Sequence, residues 1–254
     1  MIRIVARLDV KNETVVKGIQ MDGLRVVGNP YDLASSYYQQ GIDEIVYVDA
    51  VASLYERNSL YDLVSKSCQN VFVPMTVGGG LRSVDDVARM FRSGADKVTI
   101  NTACINRPEL ISEVAQKFGS QAITVSVQAK KRSADSWEAF TEAGREPTGR
   151  DVLTWINEAM DLGAGEIFLT SIDKDGTKKG FDLELIEKAA DICRVPLMVC
   201  GGAGKIEHVM DAAKIPGVDA IALGSALHYN LISIDQVKTA LANEGIEVRA
   251  KFDA

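Results

Sequence analysis

A chain of 254 residues is long enough for one large domain, with 46% apolar residues to fill a core and 25% charged residues to cover it. The net charge of −7 argues against nucleic acid and anionic lipid as principal partners, although local basic groups can still meet a small anionic ligand. No apolar run approaches the ~20 residues that span a bilayer, MIRIVARLDV is too short and too charged for a signal peptide, and Cys68, Cys104, Cys193 and Cys200 lack metal-ligand spacing, so a cytoplasmic protein with no metal or cofactor is expected.

In chain order, short β-branched runs at 2–8, 44–48, 71–77, 97–100, 122–127, 166–169, 196–199 and 220–223 read as strands. Amphipathic stretches at 32–40, 84–93, 108–118, 151–162, 182–192 and 206–215 alternate with them and read as helices. This alternation predicts a parallel sheet covered by helices, either an open doubly wound sheet or a closed (β/α)₈ barrel. Two segments, 17–30 and 130–149, read as long mobile loops after the first and fifth strands. In a barrel they would lie on the face that carries active sites, and solvated hairpins are the plainer reading.

An internal repeat favours the barrel. GIDEIVYVD at 41–49 echoes GAGEIFLTS at 163–171, GGGLRSVDD at 78–86 echoes GGAGKIEHV at 201–209, and GADKVTINT at 94–102 echoes GVDAIALGS at 217–225. Two four-strand halves, about 1–120 and 121–254, would close into a single domain.

The glycine clusters carry the strongest chemical signal. Gly78, Gly79 and Gly80 follow the third expected strand, and Asn101–Thr102 follow the fourth. Gly201 and Gly202 follow the seventh, and Gly224–Ser225 follow the eighth. Without side chains, glycines let backbone N–H groups close on an anion, so two such clusters half a chain apart predict two facing phosphate sites. Candidate acids and bases are Asp9 and Asp49 at strand ends, with Asp173 and Asp175 after the sixth strand. A partly desolvated strand-end carboxylate is suited to proton transfer. Asp173 is as readily an ordinary turn residue, while Lys17 in VVKG is positioned to reach a phosphate. His208 and His228 lie away from strand ends, which disfavours histidine-based chemistry.

LDVKN, VVKG, GIDE, TVGGG, GADKV–INTA, FGSQA, GAGEI–LTSID–DGTK and GGAGK together resemble the HisF family, the cyclase subunits of imidazole glycerol phosphate synthase, over essentially the whole chain. That resemblance implies a (β/α)₈ barrel acting as the lyase-type synthase half of a glutamine amidotransferase in histidine biosynthesis. Ammonia from a HisH-like glutaminase would cleave a two-phosphate aminoimidazole carboxamide nucleotide. It makes Asp9 the catalytic carboxylate and Lys17 the loop lysine. Gly80, Asn101, Thr102, Asp175, Gly176, Gly202, Gly224 and Ser225 would hold the phosphates, and Asp49, Gly79, Thr170 and Gly201 complete the expected binding set. Arg3, Glu44, Lys97 and Glu166 would form the ammonia entrance at the opposite face.

Three positions depart from the family pattern. Gln128 stands where the second catalytic aspartate ends the fifth strand, and an amide cannot exchange protons as a carboxylate does. Ala6–Arg7 replaces Pro-Cys, placing a charge expected near the barrel floor or channel. Cys200 replaces a serine. Phosphate grips retained beside a lost acid–base partner suggest the HisF-like paralogues linked to sugar amidation for surface polysaccharides, which form a heterodimer with a HisH-like glutaminase and act beside a separate sugar amidotransferase. An authentic cyclase, a HisA-like isomerase and a non-catalytic scaffold for a glutaminase are the alternatives.

Overall fold

The computed structural model describes residues 1–52 and 60–250. Its strands in the first half are β1 (Arg3–Lys11), β2 (Thr14–Ile19), β3 (Asp22–Gly28), β4 (Glu44–Asp49), β5 (Met75–Gly78) and β6 (Lys97–Ile100). The second half contributes β7 (Ile123–Ser133), β8 (Ser136–Thr141), β9 (Glu146–Asp151), β10 (Glu166–Ser171), β11 (Leu197–Cys200) and β12 (Ala220–Leu223). β1 pairs in parallel with both β4 and β12, and β10 pairs in parallel with both β7 and β11. With β4–β5–β6–β7 and β11–β12 joined the same way, eight parallel strands close into a ring with helices between them, a (β/α)₈ barrel. The open doubly wound alternative is thereby excluded.

The two segments read as loops are built differently. Residues 14–28 form the antiparallel hairpin β2–β3, and β7 runs on past the barrel rim to pair with β8, which pairs with β9. Their sequences mix charged and small residues, so the period-2 signal carried by buried residues such as Val15, Trp137 and Ala139 is interrupted. The hairpin reading is the one that holds.

Alternation along each barrel strand sorts side chains into two cores. On β1, Ile4, Ala6, Leu8 and Val10 face outward and pack with the helices. A second cluster made of Val5, Val46, Phe168, Met198, Cys200, Ala220 and Ala222 fills the lumen. Helix termini hold the outer layer in register. Before helix Val84–Arg92, the Ser83 hydroxyl accepts from the Asp86 N–H while the Asp86 carboxylate accepts from the Ser83 N–H, so two otherwise orphaned donors are satisfied. Val87 and Met90 then fall on the buried face of that helix. None of the described helices is long and apolar enough to cross a membrane.

Phe168 is the largest side chain of the lumen cluster, and nothing beneath or above it can slide in to replace it. Truncation to Phe168→Ala is expected to cost about 3–5 kcal/mol, read as a lowered urea midpoint with the barrel still folded at low denaturant.

Candidate active site

The top of the barrel, at the C-terminal ends of the strands, opens into a cavity of about 320 Å³. Asp9, Lys17, Asp49, Gly79, Gly80, Asn101, Thr102, Gln128 and Asp175, all expected from the sequence, line it together. Gly79 shows why glycine is required there. Its φ is +99°, and a Cβ would sit 2.7 Å from the backbone oxygen of Asp49.

Six buried side-chain polar atoms among the described residues have no hydrogen-bond partner, and four of them belong to residues of this cavity. They are Thr99 Oγ1, Asn101 Oδ1, Gln128 Oε1 and Glu142 Oε2. Buried polar atoms are ordinarily satisfied, so their concentration at one wall marks the place where a bound molecule completes the structure.

The opposite wall is saturated. Asp9 Oδ1 accepts from Arg7 Nε at 2.8 Å and Asp9 Oδ2 accepts from Lys17 Nζ at 2.8 Å. Lys17 Nζ also donates to both carboxylate oxygens of Asp175, at 3.0 and 3.1 Å. All four side chains are buried. Burial alone would raise the Asp9 pKa, but the Arg7 and Lys17 charges outweigh it and hold this carboxyl well below the usual range. Lys17 is correspondingly held protonated: burial opposes its charge, and Asp175 and Asp9 more than offset that.

Arg7 lies higher than the sequence suggested. On β1 the inward positions are Arg3, Val5, Arg7 and Asp9, so Arg7 stands one layer below Asp9 instead of at the floor. Its guanidinium is 5.6 Å from the Phe168 ring centroid and donates to Thr170 Oγ1 at 3.2 Å and Cys200 Sγ at 3.5 Å. His228 Nε2 is 3.0 Å from the Arg7 carbonyl, and its Nδ1 is 2.8 Å from the Tyr37 hydroxyl. Burial, with the nearby Lys17 charge, lowers the His228 pKa to about 4. The ring is therefore neutral at physiological pH, donating to Arg7 and accepting from Tyr37.

Thr170, Gly176, Gly201, Gly202, Gly224 and Ser225 do not line this cavity. They lie beside it. A Cβ on Gly224 would meet Lys17 Cε at 3.5 Å, and Gly176, with φ +72°, is pressed against the Gly18 carbonyl where the β2–β3 hairpin docks. Asp173 is a structural residue, accepting from the Lys131 N–H at 2.8 Å. The sequence reading missed Arg82 and Arg145, which both line the cavity. Arg82 follows the GGG run by two residues and was findable; Arg145 reaches the site only because the β8–β9 turn folds back over it.

At the far end of the lumen, Arg3, Glu44, Lys97 and Glu166 form a closed ring of ion pairs. Arg3 meets Glu44 at 2.7 Å and Glu166 at 2.5 Å, while Lys97 meets the same two carboxylates at 2.8 and 2.9 Å. Thr76 and Thr124 donate to the same oxygens that Lys97 meets, Glu44 Oε1 and Glu166 Oε2. Burial would raise the Glu166 pKa, but Lys97 and Arg3 lower it overall.

A family model described as histidine biosynthesis protein matches residues 3–233. The imidazole glycerol phosphate synthase subunit HisF of Legionella pneumophila is 52% identical over 207 residues, covering 82% of this chain and 98% of that protein. The HisF subunit of Streptococcus mutans is 46% identical over 248 residues, and that of Mycobacteroides abscessus 47% over 253, each covering 97% of this chain and 98% of the relative.

The floor ring makes a pH-dependent contribution to stability. A depressed carboxyl pKa stabilises the fold above the unfolded value of 4.5 and ceases to do so as pH falls through the folded value. Glu166→Gln is expected to cost about 3 kcal/mol at neutral pH, because Arg3 and Lys97 are left sharing one carboxylate. Denaturant titrations of both proteins should show this difference shrinking as pH falls below 4.5.

Proposed function

Since this chain belongs to the HisF family of imidazole glycerol phosphate synthase subunits, we propose that it is the synthase-side subunit of a glutamine amidotransferase whose top-face centre binds a phosphate-bearing ligand without the acid–base pair of cyclisation. A HisH-like glutaminase would dock on the floor face and release ammonia at the ring of Arg3, Glu44, Lys97 and Glu166. Backbone around Gly79, Gly80 and Asn101–Thr102, with Arg82 and Arg145, would hold one phosphate. The second glycine cluster, at Gly176, Gly201, Gly202, Gly224 and Ser225, would hold the other. Thr99, Asn101 and Gln128 would orient the body of the ligand through their unpartnered oxygens.

The observation that carries this reading is the state of the two strand-end positions. Asp9 has a cation on each oxygen, so it carries no proton to give and is a poor acceptor of one. Gln128 can donate and accept hydrogen bonds but cannot exchange a proton near neutral pH. Loss of positioned proton transfer typically costs 10²–10⁴-fold in rate. Such a centre suits binding and ammonia delivery to another acceptor, and the sugar-amidation paralogues are the group it fits, with a separate sugar amidotransferase as the third partner.

Authentic cyclase is the second reading, and the 43–52% identity to proteins named as HisF subunits favours it. Asp9 would then be the acid/base, with a water held by Gln128 in place of the second carboxylate. A HisA-like isomerase would need the same missing carboxylate and gives the floor ring no purpose.

Turnover of the histidine-pathway nucleotide with excess ammonium salt at alkaline pH separates the readings, because ammonium bypasses the glutaminase. The native chain is expected to release no imidazole glycerol phosphate above background while still binding the nucleotide. Product at an enzyme-like rate, abolished by Asp9→Asn, would establish the cyclase instead.

A further inference from the structure

We infer that Arg7 is a second specificity-determining residue of this centre: by clamping Asp9 from inside the lumen it keeps that carboxylate out of proton transfer, independently of the loss at position 128. The inference rests on the reading that cyclisation has been given up, and adds that restoring the missing carboxylate alone does not bring it back.

The geometry is that of a locked side chain. The Arg7 stem rises from the inward face of β1, two residues before Asp9, and its Nε donates to Asp9 Oδ1 at 2.8 Å. Contacts from other strands fix the guanidinium plane: Thr170 of β10 at 3.2 Å, Cys200 of β11 at 3.5 Å, and the Phe168 ring below. The residue's own carbonyl is tied to His228, so the backbone under the clamp is held as well. Arg7 also lines the floor of the cavity, so any group reaching Asp9 from the pocket meets a carboxylate already paired on its inner side.

The charges paired with Asp9 come from β1, β2 and the turn after β10, and Asp49 at the end of the adjacent β4 lines the same cavity outside these pairs. Arg7 on β1 and Lys17 on β2 are cations, and Asp175 after β10 is the second anion. Cys200 on β11 stays a thiol because burial raises its pKa, although Arg7 opposes this. His228 is neutral, and Gln128 carries no charge. Two cations against two carboxylates leave the cluster neutral. Without Arg7 it carries one excess negative charge, and Asp9 must then bind a proton at higher pH.

Four proteins test this: the native chain, Arg7→Met, Gln128→Asp, and the double variant. Methionine keeps the stem and its packing on Phe168 while removing the charge. With ammonium salt and the histidine-pathway nucleotide, the double variant is expected to turn over at least about 100-fold faster than Gln128→Asp. Equal rates for those two would overturn the inference while leaving the reading of a lost cyclase standing. Enzyme-like turnover by the native chain would overturn that reading and this inference together. Carbon-13 NMR of the Asp9 carboxyl decides the matter without turnover. Its titration midpoint should move upward in Arg7→Met, and a midpoint unchanged from the native chain would overturn the inference, since a purely structural role predicts no shift.

Discussion

Two cations and two carboxylates share the space where the lumen opens into the top cavity, and each of the four is almost completely out of water. None of them is tolerable there alone; removing one partner from a buried pair typically costs 3–5 kcal/mol because the other is stranded. Their mutual neutralisation therefore fixes more than a contact. Lys17 is carried in by the β2–β3 hairpin, Asp175 by the turn after β10, and Arg7 and Asp9 by β1. The hairpin is pinned down because its lysine has nowhere better to go. The same docking brings Gly18 against Gly176, where only glycine fits.

The barrel thus has two charged levels with an apolar plug between them. At the floor, four side chains alternate in sign and close on themselves. At the top, Arg7, Asp9, Lys17 and Asp175 alternate in sign as an open chain. The lumen residues between, from Val5 to Phe168 and Met198, offer no hydrogen bond to anything passing. The first glycine cluster and the two arginines line the cavity above, together with the unpartnered oxygens of Thr99, Asn101 and Gln128. Period-2 alternation thus places the charged, the apolar and the cavity-lining residues in successive layers of one strand set.

Most of the barrel was legible because its strands are nearly continuous apolar runs, which only a sheet covered on both faces tolerates. Gly79 was legible for a similar reason, since three glycines after a strand leave few structural alternatives. The segments at 17–30 and 130–149 could be read only as loops or hairpins, because charged residues such as Lys17, Arg25, Lys130, Lys131, Arg132 and Glu138 interrupt their apolar positions. Arg82 was overlooked beside louder neighbours. Arg145 comes from a turn whose course depends on β8 and β9. Arg7 could be read as an intruding charge but not placed. Its height in the lumen follows from counting inward positions on β1, and its partners from strands more than a hundred residues away.

The two unusual residues of the site act on the same quantity. With the family's cysteine and aspartate at positions 7 and 128, the top of the barrel would hold carboxylates at 9 and 175 on one wall, against Lys17 alone, and a third at 128 on the other. Such a centre is anionic when empty, attracts ammonium and has a carboxylate ready to be protonated. Arg7 adds one positive charge and Gln128 removes one negative charge, bringing the cluster to neutrality. Either substitution alone would leave an odd charge in a buried site, where an uncompensated ion is costly. The second relieves the electrostatic problem left by the first. On this account the amide at 128 and the guanidinium at 7 compensate one another electrostatically.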